Sequence, residues 1–405
     1  MSLLFWLSFG LIGFSYLGYP LVLLVAEAVR AALGALRFAA GGLDRRGRQE
    51  QVPWPRVTLV FSAFDEERWI RAKVQNCLAL DYPPDRLEVV VGCDGCSDRT
   101  AALAREAGGA RVTVVEQFPR AGKAAMLSRL VPAAAGELVV LTDANVLLDR
   151  GAVKALARRF ADPAVGAVVG RLRLYRPGAA AGGQEEGLYW RYETALKHLE
   201  GRWKAVLGAN GGLYAVRRIL FSPLEPDTVT DDFVVPARVA ARGWRVPFEP
   251  EAVGHEELAG DTALEFGRRA RIGAGNWQSL ARVPGLLDPR SGFPWFAFVS
   301  HKLLRWVTPF LLVSGFLASC TLAGAPGAWG HRLALAAQLA FYGLAWLGWR
   351  GAAPRRLRRA AGLAWHFVAL NAALAVGAWR FLRGSQRAAW ERTARSAPPE
   401  APRAA

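Results

Sequence analysis

The 405-residue sequence is short of cysteine, methionine and histidine, with four, two and five of each. So few cysteines, without a dense framework, exclude a disulfide-stapled secreted scaffold. The CxxC spacing Cys93-Asp94-Gly95-Cys96 has no second pair to complete a zinc site. It reads as two small residues in a loop after a strand, with Asp94 the informative member. Acidic residues are also scarce, 34 against 51 Lys+Arg, for a formal net charge of +17. A surplus of that size first suggests nucleic acid, but its distribution excludes that partner. Residues 53–290 carry 32 basic and 29 acidic side chains, whereas residues 291–405 carry 14 basic and only two acidic ones, among apolar runs. Basic flanks beside apolar runs are the pattern of a membrane protein. With 52 % hydrophobic and 21 % charged residues the chain is not disordered.

Residues 3–26 form a 24-residue stretch without a charge, long enough to span the hydrocarbon core as a helix. No basic region precedes the stretch and no clean small-residue cleavage site follows it, so it reads as a retained helix rather than a signal peptide. Arg30, Arg37, Arg45, Arg46 and Arg48 follow, which orients the helix outside to inside and leaves residues 53–290 in the cytoplasm. Further uncharged runs occupy 306–330, 333–349 and 360–379, the last containing His366 and Asn371, which read as helix–helix hydrogen-bonding groups. Arg350, Arg355, Arg356, Arg358 and Arg359 agree with a cytoplasmic turn between the last two runs. The tail conflicts with a fourth crossing. If 360–379 crosses, then Arg383, Arg387, Arg392 and Arg395 lie outside; if it is re-entrant or interfacial, they stay inside. The organisation expected is a transmembrane helix over 1–29, a basic linker over 30–52 and a cytoplasmic domain over 53–290. An interfacial segment over 291–305, two or three transmembrane helices over 306–383 and a basic tail over 384–405 follow. Such a chain is a multi-pass protein of the cell inner (plasma) membrane.

Within 53–290, apolar runs at 57–61, 87–91, 112–115 and 138–141 alternate with helical spacing at 66–80, 97–107 and 123–131. Ser97 is placed to cap the second of these helices. Continuous apolar strands alternating with helices predict an α/β domain with a buried, mostly parallel sheet. Ligands bind such sheets at the carboxyl ends of the strands, and there stand Asp65-Glu66-Glu67, Asp94 and Asp143.

The motifs Phe61-Ser62-Ala63-Phe64-Asp65-Glu66-Glu67, Asp94-Gly95-Cys96-Ser97-Asp98, Arg120-Ala121-Gly122-Lys123 and Thr142-Asp143-Ala144-Asn145 occur in that order. Gly208-Ala209-Asn210-Gly211-Gly212, Thr230-Asp231-Asp232 and the stretch 268–278 follow. Together, over about residues 53–310, they resemble a family 2 glycosyltransferase. The resemblance is to the membrane-integrated branch of cellulose, hyaluronan and poly-N-acetylglucosamine synthases. It implies a GT-A-like (Rossmann-like) cytoplasmic glycosyltransferase domain with flanking transmembrane α-helices. It also implies a UDP-sugar donor, with N-acetylglucosamine preferred to glucose, and a hydroxyl acceptor on a glycan or lipid. The bilayer is a further partner and nucleic acid is not. Three or four helices are few for a polymer pore, so a homo-oligomer or export partner is a further implied partner.

The same resemblance assigns roles. Asp143 and Asn145 take the places of the metal motif for Mg²⁺ or Mn²⁺, with a neutral oxygen at 145 where the family has aspartate. Asp65, Glu66 and Asp94 fall where the family surrounds the nucleoside. Arg120 and Lys123 suit the diphosphate, as a cation pair ahead of a free helix N-terminus. Asp232 takes the place of the general base, with Asp231 assisting. Asn210 and Gly211 allow close approach of the acceptor. Arg268 and Arg271 share a helix face and suit the diphosphate, with Trp277 as an acceptor platform. Plainer readings stay open beside these: a helix cap at Asp65, Thr230 or Asp231, a tight turn at 208–212, solvated loops at Asp94, Arg120 and Lys123, and snorkelling arginines at 268 and 271. The departures at Asn145 and in 268–278 also leave room for a catalytically silent subunit that binds a nucleotide or polymer.

Overall fold

The computed structural model describes residues 1–39, 54–175, 188–209, 211–257 and 262–386. The chain forms two compact units. One, built on a sheet, holds residues 23–260 and 279–297; the other, helical, gathers 1–22, 261–278 and 298–386.

Among the described residues the sheet unit has eight strands: β1 Val57–Ala63, β2 Leu87–Asp94, β3 Val112–Gln117, β4 Leu138–Thr142, β5 Leu147–Leu148, β6 Ala167–Tyr175, β7 Leu213–Arg217 and β8 Phe248–Glu257. Their order is β3-β2-β1-β4-β7-β6-β8-β5. β1 lies parallel to both β2 and β4, and β2 parallel to β3. All seven residues of β1 are buried, which is why this strand carries no charge and is mostly apolar: helices cover both faces. Helices Ile70–Leu78, Thr100–Gly108 and Lys123–Ala133 connect the parallel strands. Leu59, Phe61, Val74, Val91, Val140 and Leu156 meet in the core, each burial contributing about 1.5–3 kcal/mol.

The other half is mixed rather than parallel. β7 runs antiparallel to β4 and β6, and β5 antiparallel to β8. One helix start also differs from expectation. Ser97 does not cap the helix that begins at Thr100: its N–H and hydroxyl donate to Asp65, and it is Asp98 that accepts from the Thr100 N–H at 2.9 Å.

The helical unit contains helix Ser2–Gly13, the one-turn π-helix Phe14–Gly18, and helices Leu304–Ala323, Trp329–Trp349 and Arg358–Leu382. Among the described residues three helical segments are long and apolar enough to cross a membrane: Ser2–Phe38, Phe293–Ala323 and Arg358–Leu382. Small hydroxyl residues tie the first two together, Ser8 to Ser314 at 3.0 Å and the Ser15 hydroxyl to the Ser300 carbonyl at 3.0 Å. Asn371 donates to the Phe367 carbonyl of its own helix at 2.9 Å rather than to a neighbouring helix. Helix Thr262–Arg282 enters this unit over 262–278 and meets Arg358–Leu382 backbone to backbone. A Cβ on Gly377 would lie 2.5 Å from the Ala270 carbonyl oxygen, and one on Gly273 would lie 3.2 Å from Leu374 Cα.

Candidate active site

Three loops leave the carboxyl ends of β1, β2 and β4. After β1, Asp65 takes a left-handed φ of +50°, and its carboxylate accepts from the Ser97 N–H at 2.7 Å. Glu66 is buried, and its N–H donates to Thr100 Oγ1 at 2.8 Å. Between them these bonds pin the β1 loop to the β2 loop. Asp65, Cys96 and Asp98 bring a thiol and two carboxylates within 4.8 Å of one another. Both carboxylates are already engaged by loop donors, Asp98 by Thr100 and the Glu67 N–H. Phe64 lies beneath Arg120, whose guanidinium carbon is 3.4 Å from the ring centroid.

Asp94 ends β2 and is not a solvated acid. It is fully buried, and its two oxygens accept from the backbone N–H groups of Ala121 at 2.8 Å and Gly122 at 2.7 Å. Gly122 holds φ +96°, a conformation that glycine tolerates at little cost. Asp94 therefore shapes the loop that delivers Lys123, the first residue of helix Lys123–Ala133.

Lys123 reaches into a carboxylate cluster. Its Nζ lies 2.8 Å from Asp143 Oδ1 and 3.0 Å from Asp231 Oδ2. Asp143 follows β4, and Asp231 opens helix Asp231–Ala241 with Asp232 beside it. Carboxylates in a first helical turn face unpaired N–H groups, a favourable place for negative charge. Thr230 occupies the cap position, yet its hydroxyl meets Ser279 Oγ at 3.1 Å instead of capping the helix. Gly211 separates the two acids. At φ +77°, a Cβ there would lie 3.1 Å from Asp143 Oδ2 and 3.8 Å from Asp232 Oδ2. The Ala209 N–H donates to the Asp232 carbonyl at 2.9 Å, which fixes the glycine loop to the acid-bearing turn.

The charges are unbalanced. Among the described residues three aspartates face Lys123 and Lys197, an excess of negative charge. Burial works against the Lys123 ammonium, but Asp143, Asp231 and Asp232 outweigh it and hold its pKa above the usual lysine value. Asp232 is pushed the other way, up to about 6. Loss of solvent is the main cause and the Asp231 charge the next, with Asp143 adding and Lys123 and Lys197 opposing. The excess charge, an all-oxygen donor set and the space beside Asp143 that Gly211 leaves open fit a hard dication such as Mg²⁺ or Mn²⁺. Asp143 faces this cluster. Asn145 is buried, with its amide donating to Glu256 Oε1 on β8 at 3.2 Å.

The structure thus brings Lys123, Asp143, Gly211, Asp231 and Asp232 together and sets Asp65, Glu66, Asp94 and Arg120 in the adjoining loops. Asn210 lies outside the described residues, as do residues 40–53 of the linker and 387–405 of the tail. Arg268, Arg271 and Trp277 belong to the helical unit. There Arg268 pairs with Glu265 at 2.7 Å, and the Trp277 ring stands edge-on to Phe310 with centroids 6.1 Å apart. Sequence reasoning missed Tyr214 and Lys197. Tyr214, on β7, is 1 % exposed, and no hydrogen bond to its hydroxyl occurs among the described residues. Burial and the nearby Asp231, Asp232 and Asp143 charges raise its pKa well above the usual phenol value. Its position two residues after Gly211-Gly212 was the available signal.

Residues 55–307 match the protein-family model described as "Glycosyltransferase like family 2". The chain is similar to the beta-monoglucosyldiacylglycerol synthase of Synechocystis sp., with 28 % identity over 231 residues, 51 % of this chain and 46 % of that protein. It is also similar to the poly-beta-1,6-N-acetyl-D-glucosamine synthase of Staphylococcus aureus, with 24 % identity over 266 residues, 64 % of each. The chain therefore spans about half to two thirds of the length of these relatives. Among solved structures, the mannosyltransferase PcManGT from Pyrobaculum calidifontis, in complex with GDP-Man and Mn2+, shares the fold. Its TM-score is 0.64 at 24 % identity, over 94 % of this chain and 99 % of that one.

Proposed function

Because the chain belongs to glycosyltransferase family 2, we propose that it is a membrane-bound inverting enzyme that moves a sugar from a UDP-sugar to a hydroxyl acceptor at the membrane face. UDP-N-acetylglucosamine is the preferred donor and UDP-glucose the next. The product is a polysaccharide or a glycolipid, and the enzyme sits in the inner (plasma) membrane with the sheet unit in the cytoplasm. The observation that carries this reading is Asp232: a recessed carboxylate raised to about 6, on the turn that also bears Asp231 and next to Gly211 and Asp143. A base must be ionised at working pH and still hold a proton well, and a pKa near that pH serves both needs.

In this reading Asp232 accepts the proton of the attacking acceptor hydroxyl, and Gly211 leaves space for the sugar. Lys123, aimed by the Asp94-clamped loop, contributes positive charge where the diphosphate departs, and the Arg120–Phe64 stack walls the donor loops beside Asp65 and Glu66. Asp143, with Asn145 behind it, is the place for Mg²⁺ or Mn²⁺, which when bound supplies charge neutralisation to the departing diphosphate. Roles for Arg268 and Arg271 at the diphosphate and for Trp277 at the acceptor rest on their motif.

The test is a panel of radiolabelled UDP-sugars offered to the purified protein, with UDP release measured and products split into lipid and polymer fractions. Release from one donor, abolished by Asp232→Asn, is the expected result. UDP binding without release from any donor would overturn the enzyme reading in favour of a silent binding subunit.

A further inference from the structure

We propose that Lys73, a lysine sealed behind the sheet, is a positioning residue that sets the Asp143–Asn145 turn and couples it to the Gly211-Gly212 loop. The inference rests on the glycosyltransferase reading for what that turn does.

Lys73 lies on helix Ile70–Leu78 and is 0 % exposed. Its Nζ donates to Thr142 Oγ1 at 3.2 Å and to the Val146 carbonyl, and it lies 5.5 Å from the centroid of the Phe61 ring. Those two acceptors bracket the turn: Thr142 immediately precedes Asp143, and Val146 immediately follows Asn145. The turn is closed by the Val146 N–H to the Asp143 carbonyl at 3.2 Å. One ammonium therefore grips both ends of the segment that carries the metal motif. The contact continues forward, because the Thr142 hydroxyl donates to the Gly212 carbonyl at 2.8 Å. The result is a chain of polar contacts from the back of the sheet, through Lys73 and Thr142, to the glycine loop between Asp143 and Asp232. One turn further along the same helix, Asn76 donates to the Leu148 carbonyl and accepts from the Leu148 N–H, both at 2.8 Å. The helix thus holds residues 142–148 by side-chain bonds at three points.

Cohesion of the core does not account for a lysine here. Moving an ammonium out of water carries a penalty of several kcal/mol even after relaxation, and methionine would fill much of the same volume without it. What methionine cannot supply is a donor to Thr142 and Val146. Groups that orient ligating residues through hydrogen bonds typically change metal affinity about 10–100-fold when removed.

The experiment compares Lys73→Met, Thr142→Val and Thr142→Ser with the wild type in detergent. Mn²⁺ binding is followed by electron paramagnetic resonance, deuterium uptake by peptide, and thermal stability alongside. The expected result is a Lys73→Met protein with a melting temperature at or above that of the wild type, faster exchange confined to peptides covering 142–148 and 211–213, and Mn²⁺ affinity lowered about 10–100-fold. Thr142→Val should reproduce the change and Thr142→Ser should not; should Lys73→Met fail to fold, the threonine pair decides. Unchanged exchange in those peptides in a folded Lys73→Met protein overturns the inference, and so does unchanged Mn²⁺ affinity. A wild type that binds no Mn²⁺ would fail the metal assignment, and the exchange comparison would still judge Lys73.

Discussion

Asp232 sits among opposing charges whose sum decides its chemistry. Burial and the Asp231 and Asp143 carboxylates favour its neutral form, Lys123 and Lys197 its ionised form, and the balance lies near 6. A raised carboxyl pKa means the proposed base is lost as pH falls: kcat/KM should drop about tenfold per pH unit below about 6. A dication at Asp143 adds positive charge and moves this limb to lower pH, so profiles at low and saturating Mn²⁺ should separate in that direction. A flat profile from about pH 5 to about 7 would remove Asp232 as the base. Replacing it by asparagine keeps the shape and removes the proton acceptor. Turnover should fall about 10²–10⁴-fold while UDP affinity by calorimetry stays largely intact. Gly211 offers a second test. With φ +77° and a Cβ position 3.1 Å from Asp143 Oδ2, Gly211→Ala incurs about 1–2 kcal/mol of backbone strain and pushes against the metal-motif acid. We expect lost transfer with only a few degrees lost from the melting temperature; full activity would mean that the loop moves away during turnover.

The loop 120–122 acts as one element because Asp94 satisfies its Ala121 and Gly122 N–H groups. Asp94→Ala would free both donors and leave the buried Gly122 N–H unmatched, at about 1–3 kcal/mol. It should raise the donor KM more than it lowers kcat, since Lys123 loses its aim while the base is untouched. Steady-state kinetics on both parameters check the split. Elements of this kind were legible in the sequence to different degrees. β1, β2, β3 and β4 could be read because each is an apolar run ending near a turn, three of them at an acid. β6 and β8 could not: β6 places Arg171 and Arg173 inside its run, and β8 reads Phe-Glu-Pro-Glu-Ala-Val-Gly-His-Glu-Glu. Their register comes from pairing with each other rather than from an apolar pattern. At the site, Asp143 and Asp232 stood out as acids at strand and helix ends. Lys73 did not, because a lysine at helical spacing looks like a solvent-facing residue until the packing shows what lies above it. Ser97 misled for the opposite reason: it has a capping side chain, but Asp65 claims it.

At the scale of the whole molecule, three described helical segments have the length and composition to cross a bilayer. The protein should remain in the pellet when membranes are washed with alkaline carbonate; release into the supernatant would refute integral insertion. The backbone contact at Gly273 and Gly377 adds a constraint on depth. With Gly377 against Ala270 and Ala274, and Gly273 against Leu374, no lipid chain fits between the two helices at that point, so in the proposed membrane-bound enzyme they meet at one depth there. The partner helix carries Glu265, Arg268, Arg269 and Arg271, and an arginine at mid-bilayer costs about 2.5–3.5 kcal/mol even on the mildest scale. In the proposed membrane-bound enzyme the charged helix stays at the headgroups, and the contact holds the Gly377 end of Arg358–Leu382 at that level. Arg380 and Arg383, just beyond Gly377, should then lie on the face that carries Arg268 and Arg271. Single cysteines at Ser385 and Gly267 should react with an impermeant maleimide from the same side, and labelling from opposite sides would overturn this depth assignment. Two glycines, by excluding lipid, would thus decide on which side of the bilayer Arg380 and Arg383 lie.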